Sequence, residues 1–151
     1  MLKQVQTILV VDDDPLNLRM LDRLLKGKFR VITASDGKRA LELLEKETVC
    51  LILTDQQMPN MSGIELLQKS RQIDENIVRM LVTANRDSET FIEALKKAGA
   101  VRVITKPWDA EKLLKTVCES LERHSRGERS RQAFSNLQQA NEKLNKFVRD
   151  R

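Results

Sequence analysis

The sequence predicts an α/β protein: a doubly wound, five-stranded parallel sheet with five flanking helices, followed by a helical tail. Three observations carry this. Short aliphatic runs alternate five times with longer amphipathic stretches between residues 7 and 124, the pattern of successive β/α units. The runs are apolar nearly throughout, as strands covered on both faces are. No tight-turn dipeptide joins neighbouring runs into antiparallel hairpins.

The elements follow in order. "TILVV" (7–11) is the first strand. From Pro15, Leu16, Met20 and Leu24, with Leu21 and Leu25, recur at helical spacing up to Gly27, where a glycine favours termination. "RVITA" (30–34) is the second strand, and "SDGKRALELLEKE" the second helix, apolar at Ala40, Leu41, Leu43 and Leu44. "VCLILTD" (49–55) is the most apolar strand and belongs at the centre of the sheet. "MPNMSG" is a loop punctuated by Pro59 and Gly63, and "IELLQKSRQ" (64–72) the third helix. "RMLVTA" (79–84) and "VRVITK" (101–106) are the fourth and fifth strands, with the helix 88–100 between them. Asp109 caps the fifth helix, 109–124.

Composition narrows the class of function. At 151 residues with 40% apolar and 32% charged content, the chain suits one soluble domain with an appendage. Aromatics make up only 3%, so the core is aliphatic. No apolar run approaches the roughly 20 residues that span a bilayer, and "MLKQVQ" carries no signal-peptide core. A cytoplasmic location without membrane contact is expected. Cys50 and Cys118 read as buried reduced thiols; metal binding by cysteine needs more ligands than these two, and the single histidine, His124, is no obvious addition to them. Residues 123–151 hold eight basic and three acidic residues, which is the whole net charge of +5; the rest has 19 of each. That tail reads as a solvated basic helix, and no direct nucleic-acid binding is expected.

In doubly wound sheets, ligands bind beyond the carboxyl ends of the strands. Strand one ends at Asp12, Asp13 and Asp14, strand three at Asp55, strand four at Thr83 and Ala84, and strand five at Lys106 and Pro107. Clustered carboxylates suit Mg²⁺. An ammonium and a hydroxyl beside them suit phosphoryl oxygens. Asp14 precedes Pro15 and reads as the cap of helix one, without a full capping box, since Asn17 rather than Glu or Gln stands three positions on.

In this order and spacing, "VVDDDP", "LTDQQMPNMSG", "VTA" and "TKP" resemble the receiver domain of two-component response regulators, over about residues 6–124. The resemblance implies a flavodoxin-like sheet of order 2-1-3-4-5, a receiver domain at 1–124, and a basic linker with a short coiled-coil-like helix at 125–151. It implies that Asp55 is the phosphoacceptor for a sensor histidine kinase or phosphotransfer protein. Asp13 would bind Mg²⁺ directly and Asp12 largely through water, with Asp55 and the backbone carbonyl of Gln57 completing the protein ligands. Lys106 would pair with the acceptor and then the phosphoryl group, Thr83 would supply its hydroxyl, and the backbone N–H groups of Gln56 and Ala84 would be further donors. Gln57 and Asn85 would tune phosphoryl lifetime. The chain would be a signalling phosphoacceptor and not an enzyme in its own right.

Two positions qualify the resemblance. The family usually carries an aromatic switch residue three positions before the lysine, and Val103 stands there. Trp108 follows Lys106–Pro107 where the family often has Phe, and reads as packing against the start of helix five.

In the tail, "SRGERSR" reads as a break or flexible joint, or as part of a continuous helix. Beyond it Phe134, Leu137, Leu144 and Val148 fit a and d positions, with Asn141 at an a position. A homodimer through this helix, or through the face of helix four and strand five, is expected. "ITKPW" with such a tail resembles regulators leading to HD-type phosphodiesterases. A small aspartyl-phosphate phosphohydrolase is disfavoured because Gln57 stands where its general acid would be. A nucleotide or flavin module is disfavoured because the first turn lacks glycine, and a scaffold pseudo-receiver because all five site residues are present.

Overall fold

The computed structural model describes residues 5–84, 89–100 and 102–149. Five parallel strands form one sheet: β1 (Thr7–Val11), β2 (Arg30–Ala34), β3 (Leu51–Asp55), β4 (Val78–Thr83) and β5 (Arg102–Thr105). Their spatial order is β2-β1-β3-β4-β5, as expected, with the most apolar run at the centre. The register is direct, with Leu9 opposite Ile52 across β1 and β3, and Leu53 opposite Met80 across β3 and β4.

Side chains alternate between the two faces of a strand, and each face has its own core. Ile8, Val10, Leu51, Leu53, Met80 and Val82 pack with Leu21 and Leu25 of α1 (Pro15–Leu25) and with Leu113, Val117 and Leu121 of α5 (Ala110–Arg149). Leu9, Val11, Ile52 and Leu81 face α2 (Gly37–Lys46), α3 (Gly63–Ile73) and α4 (Glu89–Ala98). Burying one Leu or Ile this way stabilises by about 1.5–3 kcal/mol, so two continuous faces fix both sheet and winding.

Helix starts are set by side-chain caps. Asp14 accepts the Leu16 N–H at 2.9 Å, and Asp109 accepts the Lys112 N–H at 3.0 Å, as expected. Asp36 caps α2 and Ser62 caps α3 in the same way.

The structure settles two points that the sequence left open and corrects the reading of the cysteines. In α1 the buried face is Leu21 and Leu25, while Leu16 and Met20 point outward; six apolar residues within ten positions fit either face, and only the sheet decides. Cys50 and Cys118 are free but half-buried, packed against the margin of the core. Of the two readings of "SRGERSR", the continuous helix is the one observed, because α5 runs unbroken from Ala110 to Arg149. One glycine costs a helix only about 1 kcal/mol, and its Arg, Glu and Gln neighbours sustain the turns.

Candidate functional site

The carboxyl edge of the sheet gathers the acidic residues. β1 runs into Asp12 and Asp13, and β3 ends on Asp55; one carboxylate oxygen from each of the three lies within 4.8 Å of the others. Asp55 is 7% exposed and Asp12 4%, while Asp13 is exposed. Lys106, just past β5, places its Nζ 2.8 Å from Asp55 Oδ1. Its backbone N–H donates to the Thr83 carbonyl at 2.9 Å, which ties the lysine to the end of β4. Thr83 is buried at that end, in register with Thr105.

Asp12 is held by its neighbours. Its Oδ1 accepts the Asp14 N–H at 2.9 Å, and its Oδ2 accepts the Asn17 amide at 3.2 Å. Burial pushes its pKa up; the Asp14 N–H opposes this, and the charge of Asp55 adds to the rise. Burial would lower the pKa of Lys106, but the hydrogen bond and charge of Asp55, joined by Asp12 and Asp13, outweigh it and raise the value. The edge therefore holds a cationic lysine among carboxylates that crowd one another. Three hard oxygen donors this close, with one carboxylate exposed, fit a small divalent cation such as Mg²⁺.

Gln56 overturns one expectation. Its N–H donates to the Val82 carbonyl at 2.9 Å, and its own carbonyl accepts from Gly63 at 2.9 Å. That N–H is committed to the sheet and is not a donor into the site. The Gln56 side chain instead accepts the Ile64 N–H at 2.9 Å, joining β3 to the start of α3. A Cβ at Gly63 would run into the Asp55 carbonyl oxygen and the Leu81 side chain, so this closure needs glycine.

Other predicted residues are placed simply. Gln57 is exposed in the loop after β3, and Ala84 follows Thr83 at the edge of the site. Val103 is half-buried in β5 opposite Leu81. Asn85 lies outside the described residues. Trp108 packs against the core beside α5, as expected. Sequence reasoning missed Asn17, whose signal was its place in the first turn after the acidic run, and Gln56 as a clamp. It also missed the Ser62 cap, although Ser62 and Glu65 form a recognisable Ser-x-x-Glu pattern.

A doubly wound sheet with a carboxylate cluster and a lysine at its switch edge defines a class, and the comparisons give the family. Residues 8–118 match the family model of the response regulator receiver domain, and the chain belongs to that family. It is 40% identical over 116 residues to the hydrogenase transcriptional regulatory protein HoxA of Bradyrhizobium diazoefficiens, a match covering 77% of this chain and 24% of that protein. The chain thus spans about a quarter of the length of that relative. Among solved structures it resembles a CheY-like response regulator receiver domain from Methanospirillum hungatei, with TM-score 0.78 and 29% identity over 82% of this chain and 99% of that one. It also resembles the signal receiver domain of an HD domain-containing protein from Pseudomonas fluorescens, with TM-score 0.76 and 29% identity over 81% and 98%. Among the described residues, no helix is long and apolar enough to cross a membrane.

Proposed function

We propose that this receiver accepts a phosphoryl group on Asp55 from a sensor histidine kinase or phosphotransfer protein, and switches conformation to control an attached or partner output. The observation that carries this is the Lys106 ammonium 2.8 Å from Asp55, itself grouped with two further carboxylates. A carboxylate is a weak nucleophile, and phosphoryl transfer depends on positioning and charge compensation. In the transfer, an Asp55 oxygen bonds to phosphorus as the phosphohistidine N–P bond breaks. The electron pair stays on the imidazole, which takes up a proton.

Bound Mg²⁺ would neutralise charge on the phosphoryl oxygens. Exposed Asp13 would be its direct ligand, with Asp55 and the Gln57 carbonyl. Asp12 would act through water, consistent with both its oxygens already accepting hydrogen bonds. Lys106 hands its charge from the Asp55 carboxylate to the phosphoryl oxygens, while the Thr83 hydroxyl and the Ala84 N–H take up others. Gln57 and Asn85 set access of water to the phosphorus, and so the lifetime of the product.

With Val103 in place of an aromatic, the readout runs through Thr83 and the chain that follows it. The likeness to a receiver from an HD domain-containing protein, together with the "ITKPW" stretch, inclines the output towards an HD-type phosphodiesterase. We place the chain in the cytoplasm, in keeping with its two free cysteines.

The test is incubation with Mg²⁺ and acetyl phosphate, followed by intact mass. One phosphoryl group is expected on the wild type and none on Asp55→Asn. Labelling that survives Asp55→Asn refutes the assignment.

A further inference from the structure

The far end of α5 carries an apolar stripe facing solvent. Phe134, Leu137 and Leu144 are 67%, 61% and 61% exposed, and residues 136–145 are exposed throughout. The three lie at positions a, d and d of a heptad frame that places Asn141 at an a position, and Val148 continues the spacing in sequence. A helical segment this polar on its remaining faces gains little from its own sequence. The stripe must be covered, or it is a standing liability.

We infer that residues 134–148 pair with the same segment of a second copy of this chain, in parallel and in register. Charge placement favours a copy as occupant. Within 134–149 the ionic residues are Glu142, Lys143, Lys146 and Arg149, all at outer b, c and f positions. The e and g positions beside the seam are Gln138, Ala140, Asn145 and Phe147. Two copies therefore keep their like charges apart, although the segment is net basic.

Asn141 fixes the orientation. In a parallel pair an a position faces its own counterpart, so the two amides bond donor to acceptor. In an antiparallel pair an a position faces a d position. Asn141 would then meet Leu137 or Leu144 and bury an unpaired amide, which is costly. The same requirement disfavours a foreign helix, which would need its own amide at that layer. The continuity of α5 from Ala110 carries this pairing directly into the receiver. Two heptads make a small seam, below the area of stable interfaces, so the dimer is weak and concentration-dependent.

Sedimentation equilibrium of the full chain from micromolar to millimolar concentration tests this. The average mass should climb from one chain towards two. Leu137→Glu with Leu144→Glu should lower the association constant by at least about tenfold, and Asn141→Leu should raise it by about tenfold. These side chains are exposed, so the thermal melt of the receiver should not move. Phe134→Cys should oxidise to a linked dimer, as only a parallel pair brings position 134 against itself, while the wild type with Cys50 and Cys118 should not. The proposal is overturned by a monomer at every concentration, by a dimer indifferent to the Leu→Glu pair (placing the contact elsewhere, such as the α4–β5 face), or by failure of Phe134→Cys to link. Asp55→Asn run in parallel keeps this result separate from the phosphoryl chemistry.

Discussion

Removing the Asp13 carboxylate should make the metal-free protein more stable than the wild type and the Mg²⁺-loaded protein less stable than it. Asp13 shares a 4.8 Å cluster with Asp12 and Asp55, and Lys106 offsets about one of its two repulsions. The net is therefore close to one carboxylate pair at that distance. Coulomb's law puts such a pair at about 3.5 kcal/mol for an effective dielectric of about 20, and about 0.9 kcal/mol in water. Asp13 is exposed, so the lower figure governs, and Asp13→Asn should stabilise the metal-free protein by about 0.5–1 kcal/mol. For a chain of this size that corresponds to a rise of about 1–4 °C in Tm. With Mg²⁺ the order should reverse. The wild type gains RT ln(1 + [Mg²⁺]/Kd) by binding, and the variant, without the proposed direct ligand, gains little. Circular-dichroism melts of both proteins in EDTA and in excess Mg²⁺ measure the two shifts. Equal Mg²⁺ stabilisation of both proteins, or a metal-free Asp13→Asn less stable than wild type, would refute the reasoning.

Three further outcomes follow from the packing. Gly63→Ala should destabilise by about 1–3 kcal/mol in urea denaturation, because its Cβ meets the Asp55 carbonyl and Leu81. Gly27→Ala, with nothing within 4 Å of the added carbon, should be neutral or stabilising by up to about 1 kcal/mol. Buried Arg79 donates to the carbonyls of Gly99, Asp74 and Glu75 at 3.3–3.4 Å; Arg79→Met should leave them without that donor and cost about 2–3 kcal/mol, read in the same assay. The decay of phospho-Asp55, followed by mass spectrometry, should change in Gln57→Ala and Asn85→Ala; unchanged decay in both would remove those side chains from the control of water.

The residues that reach the edge of the sheet were legible because strand ends are fixed by where apolar runs stop. Asp12, Asp13, Asp55, Thr83 and Lys106 each close a run, and a parallel sheet puts all such closures on one side. Backbone donors were not legible in this way. Whether the Gln56 N–H faces the site or the next strand depends on the register of β3 against β4, which no residue type reveals. The inward face of α1 was hidden for a related reason: its apolar residues cover most of the helix circumference, so periodicity leaves two solutions. Gly127 left a joint and a continuous helix both open, because its own low helix propensity competes with the higher propensity of its neighbours. Asn17 was visible only as the missing member of a capping box, and its bond to Asp12 needs the turn between β1 and α1 in three dimensions.

The unbroken course of α5 has a mechanical consequence. Its first turns are clamped to the sheet by Leu113, Val117 and Leu121, and its capping residue, Asp109, lies three residues beyond Lys106. A helix of 40 residues at 1.5 Å per residue is about 60 Å long. A tilt of about 5° at the clamped end therefore sweeps the far end through about 5 Å, roughly one helical turn. A displacement at the carboxylate edge too small to alter the core is thus enlarged, at the tip of this lever, to the scale on which side chains change partners.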